Sequence, residues 1–383
     1  MPVPLLALAY LAFIGLGLPD PLPGTLWPQV GVAYGLPNAA LGLVLASLSC
    51  GYILAGLTAA RLIAAFGIGG VVAGSIAATA LTAAGQALAP PWPVFVGLAV
   101  LAGMGGGAVD AALNVYAAQR LAPRHLNWLH ACWGIGATLG PAAAAAILAA
   151  GAGWQAAYAA VAAALAALSA AFLVTRRRWD GTAPPSGGRV GTVFALRHPV
   201  VRLQMAVFFI YTGLEAGGGQ WAATILAARG ASPAEAALAA TLFWAGLAGG
   251  RIGLGFVVDR IGADRLLRLA MPVAAAAAMG FALGLQDAAF LVLLAVALAP
   301  VYPTVMARTP ARLGPLAVQA IGLQVAAAMA GVAVLPGLMG LAADWAGADA
   351  VPWMLLLLAG LLWLLIWRLP AGMPPGEFAP PRT

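Results

Sequence analysis

The 383-residue sequence contains no lysine: all 18 basic residues are arginine, and only 11 residues are acidic. Charged residues make up 8% of the chain and hydrophobic ones 63%, giving a mean hydropathy of +0.98. So little polar surface excludes a soluble globular protein of this size and points to a polytopic membrane protein. A net charge of +7 would suggest nucleic acid in a soluble domain. Here the arginines gather between apolar runs, which makes them a topology signal, and no nucleic-acid partner is expected. Cysteine is nearly absent, and Cys50 and Cys132 both lie inside apolar runs. Without ligand spacing or a pairing pattern they exclude a zinc site and a disulfide framework, so neither metal nor cofactor is expected. There is no His-Glu-x-x-His, no nucleophile with an ordered base and no lipid-phosphate motif, which speaks against an enzyme. A basic leader with a cleavage site is also lacking, so the first apolar run reads as a retained span.

Apolar runs bounded by Pro, Gly, Asn or Arg predict twelve transmembrane helices, at 4–33, 38–60, 68–88, 93–119, 125–150, 154–175, 199–228, 233–257, 266–285, 288–307, 313–341 and 350–368. Ser232-Pro233-Ala234-Glu235 is a capping box with proline at the first helical position, and it sets the start of the eighth. Alternating the loops places Arg61, Arg120, Arg124, Arg176, Arg177, Arg178, Arg189, Arg197, Arg202, Arg251, Arg260, Arg265, Arg268, Arg308, Arg312, Arg368 and Arg382 on one side. Only Arg229 falls on the other. The positive-inside rule then predicts a multi-pass protein of the bacterial inner membrane with both termini cytoplasmic. The expected fold class is an all-α membrane protein of two pseudo-symmetric six-helix bundles, 1–175 and 199–368. A cytoplasmic linker, 176–198, joins them, and a Pro-rich, disordered cytoplasmic tail, 369–383, follows.

Polar residues stand out against this background. Asp20 sits among Pro19, Pro21 and Pro23 in the first span. These prolines deprive the carbonyls of Gly15, Gly17 and Pro19 of helical partners, and a broken, charged helix at bilayer depth must face protein or water. Asp110 and Glu215 lie at similar depth. A carboxyl group held away from water favours its neutral form, so such acids are candidates for loading and releasing a proton. On the fourth span Gly103, Gly107, Asp110 and Asn114 share a face, and Asp110 with Asn114 makes a site for a hydroxylated ligand. On the seventh, Gln204, Phe208, Tyr211 and Glu215 share a face. There Gly217-Gly218-Gly219 is expected to kink the helix and turn Gln220 and Trp221 inward. Asn127, His130 and Gly134 align on the fifth, where His130 suits proton relay or a structural hydrogen bond between helices.

The halves echo each other. Gly56-x-x-x-Ala60-Arg61 follows the second helix as Gly255-x-x-x-Asp259-Arg260-x-Gly262 follows the eighth, and Gly17-Leu18 before Asp20 matches Gly213-Leu214 before Glu215. Residues Gly255 to Arg265 resemble the signature loop of the major facilitator superfamily, G-x-x-x-D-R-x-G-R-R, whose first-half copy here has Ala60 in place of the aspartate. Further stretches are similar to the fucose–proton symporter-like sugar permeases. These are Gly105 to Asn114, Leu126 to His130 with Gly134-Ile135-Gly136 and Gly140-Pro141, Tyr211-x-Gly213-x-Glu215 with Trp221, and Ala299 to Thr304. In that branch an aspartate on helix 1 and a glutamate on helix 4 are linked to proton coupling and sugar binding. The resemblance carries these roles to Asp20 and Asp110, the latter one methylene shorter.

The function expected is therefore secondary active transport of a small polar solute, a sugar foremost, by proton-coupled symport with alternating access. Asp20, Asp110, Glu215 and His130 are the candidates for proton coupling. Asn114, Asn127, Tyr211, Glu215, Gln220 and Trp221 are those for solute binding, and Arg61, Asp259, Arg260 and Arg265 form a gating loop. The coupling ion is a proton, with sodium as its substitute, and the partners are the solute and the lipid bilayer around a monomer. The alternative is a proton-coupled exporter of the same fold, because Gly136-x-x-x-Gly140-Pro141 also resembles a drug–proton antiporter motif; close helix packing explains it equally well.

Overall fold

The structure, a computed structural model, describes residues 3–121, 123–179 and 192–371. Among these the chain is helical throughout: α1 Val3–Gly17, α2 Leu22–Thr25, α3 Trp27–Tyr34, α4 Ala39–Ala87, α5 Trp92–Arg120, α6 Pro123–Ala149, α7 Trp154–Thr175, α8 Thr192–Arg197, α9 Pro199–Ala228, α10 Pro233–Ile261, α11 Ala263–Ala282, α12 Asp287–Leu298, α13 Val301–Leu313, α14 Ala317–Ala346 and α15 Ala350–Trp367. Among the described residues, ten candidate spans are long and apolar enough to cross a membrane. One of them, α4, is two crossings, and the polar-rich α9 adds another, so the twelve-helix architecture stands.

The double crossing in α4 can be read from its packing on α5. Gly103 lies on Leu48 and Gly107 on Tyr52 and Ala55, so the first leg runs parallel to α5. Gly105 lies on Ser75 and Thr79, and Gly85 on Leu98, so the second leg runs antiparallel. The chain must therefore reverse between them, and it does so at Gly67, where φ is 69° and ψ 164°. A β-carbon there would meet nothing; backbone conformation, not space, calls for glycine at this position.

The prolines of the first span break it into α1, α2 and α3, and the freed backbone groups find other partners. The Pro19 carbonyl, expected to be left unpaired, accepts from the Leu22 amide at 3.1 Å. The Pro21 carbonyl accepts from both the amide and the hydroxyl of Thr25, and that of Asp20 accepts from the Gln220 side chain at 2.8 Å. This stretch is fixed from the other bundle. A β-carbon on Gly24 would lie 2.1 Å from the Gln220 carbonyl, so α2 touches the α9 backbone directly.

Small residues set the approach of α1 to α6. A β-carbon on Gly136 would lie 2.0 Å from the Ile14 carbonyl, one on Gly140 2.1 Å from that of Leu18, and one on Gly17 2.1 Å from that of Trp133. The Gly136-x-x-x-Gly140 pair is thus occupied with helix packing. Gly136→Leu is expected to cost several kcal/mol, beyond the roughly 1–3 kcal/mol of ordinary overpacking, because the obstacle is backbone. A fall of several degrees in Tm, or loss of the monodisperse peak in detergent, checks it.

Three expectations need correction. The Gly217-Gly218-Gly219 triplet does not kink α9, which runs unbroken from Pro199 to Ala228. Its bare faces admit Met339, the Phe243 ring and the Trp244 ring, each within 2.7 Å of the missing β-carbon. The tenth helix continues beyond 307 through α13 to Leu313, so Arg308 and Arg312, assigned to a loop, are helical. The tail expected to be disordered from 369 begins docked: Leu369 is buried, and the carbonyls of Pro370 and Ala371 accept from Arg312 and Arg308. The rest of the tail, 372–383, and most of the linker, 180–191, lie outside the described residues. The capping box is present as expected, with the Glu235 amide donating to Ser232 Oγ and the Ser232 amide to Glu235 Oε2.

Candidate functional site

The two bundles meet at the end of the molecule that holds Asn38. There both oxygens of Asp344, near the end of α14, accept from the amides of Asn38 and Ala39 at 2.7 and 2.8 Å. A carboxylate on the unpaired amides of a helix N-terminus is a favourable placement. It is possible because Gly42 lies against Gly337, and Gly340 against Asn38 and Ala39. Arg229, the lone basic residue expected on this side, is ion-paired with Asp287 and Asp349.

Deeper in, three carboxyl groups come together. Asp20 Oδ2 accepts from the indole N–H of Trp133 on α6 at 2.8 Å. Asp110 on α5 accepts from the Tyr52 hydroxyl at 2.6 Å and, four residues along its own helix, from Asn114 Nδ2 at 2.9 Å. Glu215 on α9 accepts from the Tyr211 hydroxyl and pairs at 3.1 Å with Arg251 of α10. The Arg251 guanidinium also lies over the Trp133 ring, 5.4 Å from its centre, and Trp133 meets Trp244 edge-on at 5.9 Å. Trp133 therefore touches Asp20 in its own bundle and Arg251 in the other. Asp110 lies close to Asp20, Tyr52, His130 and Tyr302, and Arg251 close to His130 and Tyr302.

The predicted residues divide. Asp20, Asp110, Asn114, Tyr211, Glu215 and Gln220 do converge at mid-depth. Gln220 has both ends engaged, accepting from the Gly24 amide at 2.8 Å and donating to the Asp20 carbonyl, so it ties the bundles together. His130 is exposed, with its ring edge-on to Phe13 at 5.4 Å. Trp221 is a correction: it is fully buried and its indole N–H donates to the Pro336 carbonyl of α14, because an unkinked α9 turns that position away from the central space. The side chains of Asn127 and Asp259 lie outside the described residues.

At the arginine-rich end the ion pairs described are centred on Asp264, which holds Arg308 at 3.0 Å and Arg312 at 2.6 Å; the predicted Arg61, Arg260 and Arg265 are exposed side chains. Residue types alone gave no reason to choose Tyr52, Trp133 or Asp264. Arg251 carried a usable signal, since it lies inside the span predicted at 233–257, where a charge deserves a partner.

A broken first span and a group of carboxyl side chains where two six-helix bundles meet, with contacts joining the bundles at one end, are the features of a membrane carrier. The family model of the Major Facilitator Superfamily matches residues 5–317; the chain belongs to this superfamily of membrane transporters. A search of curated proteins finds no match. Solved structures similar to it include a bacterial homolog of the human lysosomal transporter Spinster, 15% identical, covering 94% of this chain and 96% of that one with a TM-score of 0.75. The nucleoside transporter NupG is 16% identical, with 96% and 98% covered and a TM-score of 0.68. A variant of the E. coli fucose:proton symporter FucP is 16% identical, with 95% and 98% covered and a TM-score of 0.64.

Proposed function

We propose that the chain moves a small polar solute, a sugar by chemical class, across the bacterial inner membrane by proton-coupled symport. The observation that supports this most directly is charge balance. Among the described residues, three carboxyl groups, Asp20, Asp110 and Glu215, lie together with one guanidinium, Arg251. Unpaired carboxylates are costly away from water, and protons are the mobile counter-charge. Glu215 has its cation, so proton dependence is assigned to Asp20 and Asp110. The solute is assigned to Asn114, Tyr211 and the Arg251–Glu215 pair. Two buried donors there, Arg251 Nε and Trp244 Nε1, lack a hydrogen-bond partner among the described residues, which suits a ligand rich in oxygen acceptors. Rocking of one bundle against the other would break the contacts of Gln220 and Asp344 and expose the site at the Asn38 end. With arginines and both termini on the cytoplasmic side, that end faces outward.

The exporter alternative rested on Gly136 and Gly140, which α1–α6 packing already accounts for. A thermal-shift screen of sugars against the purified protein, followed by uptake of the best binder into proteoliposomes, tests the proposal. An inward proton gradient is expected to drive accumulation above equilibrium, and a protonophore to abolish it. Accumulation driven by sodium alone, or mere equilibration, refutes it.

A further inference from the structure

At the arginine-rich end, α4 and α7 enclose a cavity of about 500 Å³ apart from the central site. Its floor is one face of α4, where Gly70, Gly74 and Ala77 recur at helical spacing, and Leu173 of α7 forms a wall. A β-carbon on Gly74 would touch nothing, so the face is recessed for want of side chains. Behind it, Ser169 Oγ of α7 donates to the Ala73 carbonyl at 2.9 Å and holds the helices together.

Arg176 and Arg177 stand at the mouth, on a turn whose backbone is pinned from both sides. A β-carbon on Gly69 would lie 2.2 Å from the Arg176 carbonyl. Beyond the arginines, buried Trp179 stacks on Phe172 at 4.9 Å and meets Tyr116 edge-on at 5.0 Å. The guanidinium groups thus project, exposed, from a fixed base, and no carboxylate lines the cavity among the described residues. From Gly70 to Ala77, on the second leg of α4, the floor rises about 10 Å at roughly 1.5 Å per residue, about a third of a hydrocarbon core about 30 Å thick.

We propose that this groove holds one anionic phospholipid, its phosphate on Arg176 and Arg177 and an acyl chain along Gly70, Gly74 and Ala77. Guanidinium forks match phosphate oxygens, whereas a zwitterionic headgroup would bring its own cation against them. Basic pockets between membrane helices favour acidic lipids for this reason.

The full-length protein in detergent, given equal amounts of dioleoyl phosphatidylglycerol and dioleoyl phosphatidylcholine, is examined by native mass spectrometry. One phosphatidylglycerol is expected to be retained in preference by about tenfold or more. Arg176→Gln/Arg177→Gln erases that preference. Gly74→Phe, which fills open space, expels the lipid with the arginines intact. Arg197→Gln/Arg202→Gln, a loss of equal charge at other exposed arginines, leaves the preference unchanged. Inorganic phosphate at the lipid's concentration does not displace it, which separates a lipid site from a site for free phosphate. Equal retention of the two lipids, retained preference in the Arg176/Arg177 variant, loss of preference in the Arg197/Arg202 variant, or displacement by phosphate overturns the proposal.

Discussion

Asp20→Asn is expected to abolish uphill transport while leaving the site assembled. The contact that orients this side chain is accepted, not donated: Trp133 Nε1–H points to Asp20 Oδ2 at 2.8 Å. An asparagine Oδ1 accepts the same bond, and the Asp20 carbonyl, which receives Gln220 Nε2, is unaffected. Only the capacity to carry a proton is removed. In proteoliposomes the accumulation ratio should fall to unity under a proton gradient, while counterflow, which needs binding and bundle movement but no net proton, continues. Asp20→Asn protein that still concentrates the solute at a normal proton ratio would exclude Asp20 as the coupling acid.

Asp110 requires a different comparison. Its two oxygens receive two donors, Tyr52 and Asn114, and an asparagine offers one acceptor only. Asp110→Asn therefore leaves a donor unmatched, at a cost of about 1–3 kcal/mol, and impairs both binding and coupling. Asp110→Glu keeps both acceptors and supplies the methylene that the fucose-permease resemblance calls for. Its expected outcome is restored uphill uptake, with any loss confined to affinity. Failure of both variants in counterflow would mean that Asp110 serves the solute and not the proton.

The parts of this site that were legible in the sequence are those whose cause is local. Asp20 is conspicuous because three prolines surround a carboxylate in an apolar run. Asp110 and Asn114 declare themselves by helical spacing, and their hydrogen bond is the direct result of that spacing. The glycines beside Trp221 act through space and not through the backbone: they make room for Met339, Phe243 and Trp244, α9 stays straight, and Trp221 bonds to α14. The importance of Trp133 arises from where α10 places Arg251, which no spacing on α6 encodes. Arg251 itself was absorbed by a count of arginines per loop. The same count hid Asp264, whose partners lie on α13, more than forty positions along the chain. Twelve spans and their pairing into halves follow from hydropathy and repeat; contacts between distant helices do not.

Removing Arg251 is expected to impair both stability and transport. The pair with Glu215 is largely shielded, with side-chain exposures of 18% and 11%, so Arg251→Gln strands a carboxylate that water reaches poorly. Loss of one member of such a pair costs about 3–5 kcal/mol, and Tm in detergent should fall accordingly. Arg251→Gln/Glu215→Gln removes both charges and keeps polar side chains of similar size, so it should recover most of that loss. The sum of the single losses should exceed the double by more than about 1 kcal/mol. Transport should not recover with stability. Both members of the ion pair belong to the second bundle, and it is the guanidinium lying over the Trp133 ring that reaches the first. A cation over an indole contributes about 0.5–2 kcal/mol, enough to favour one arrangement of the bundles and weak enough to be broken in each cycle. A glutamine in place of Arg251 cannot supply it. If the double variant transports like the wild type, the contact across the bundles is incidental and Arg251 serves only to neutralise Glu215.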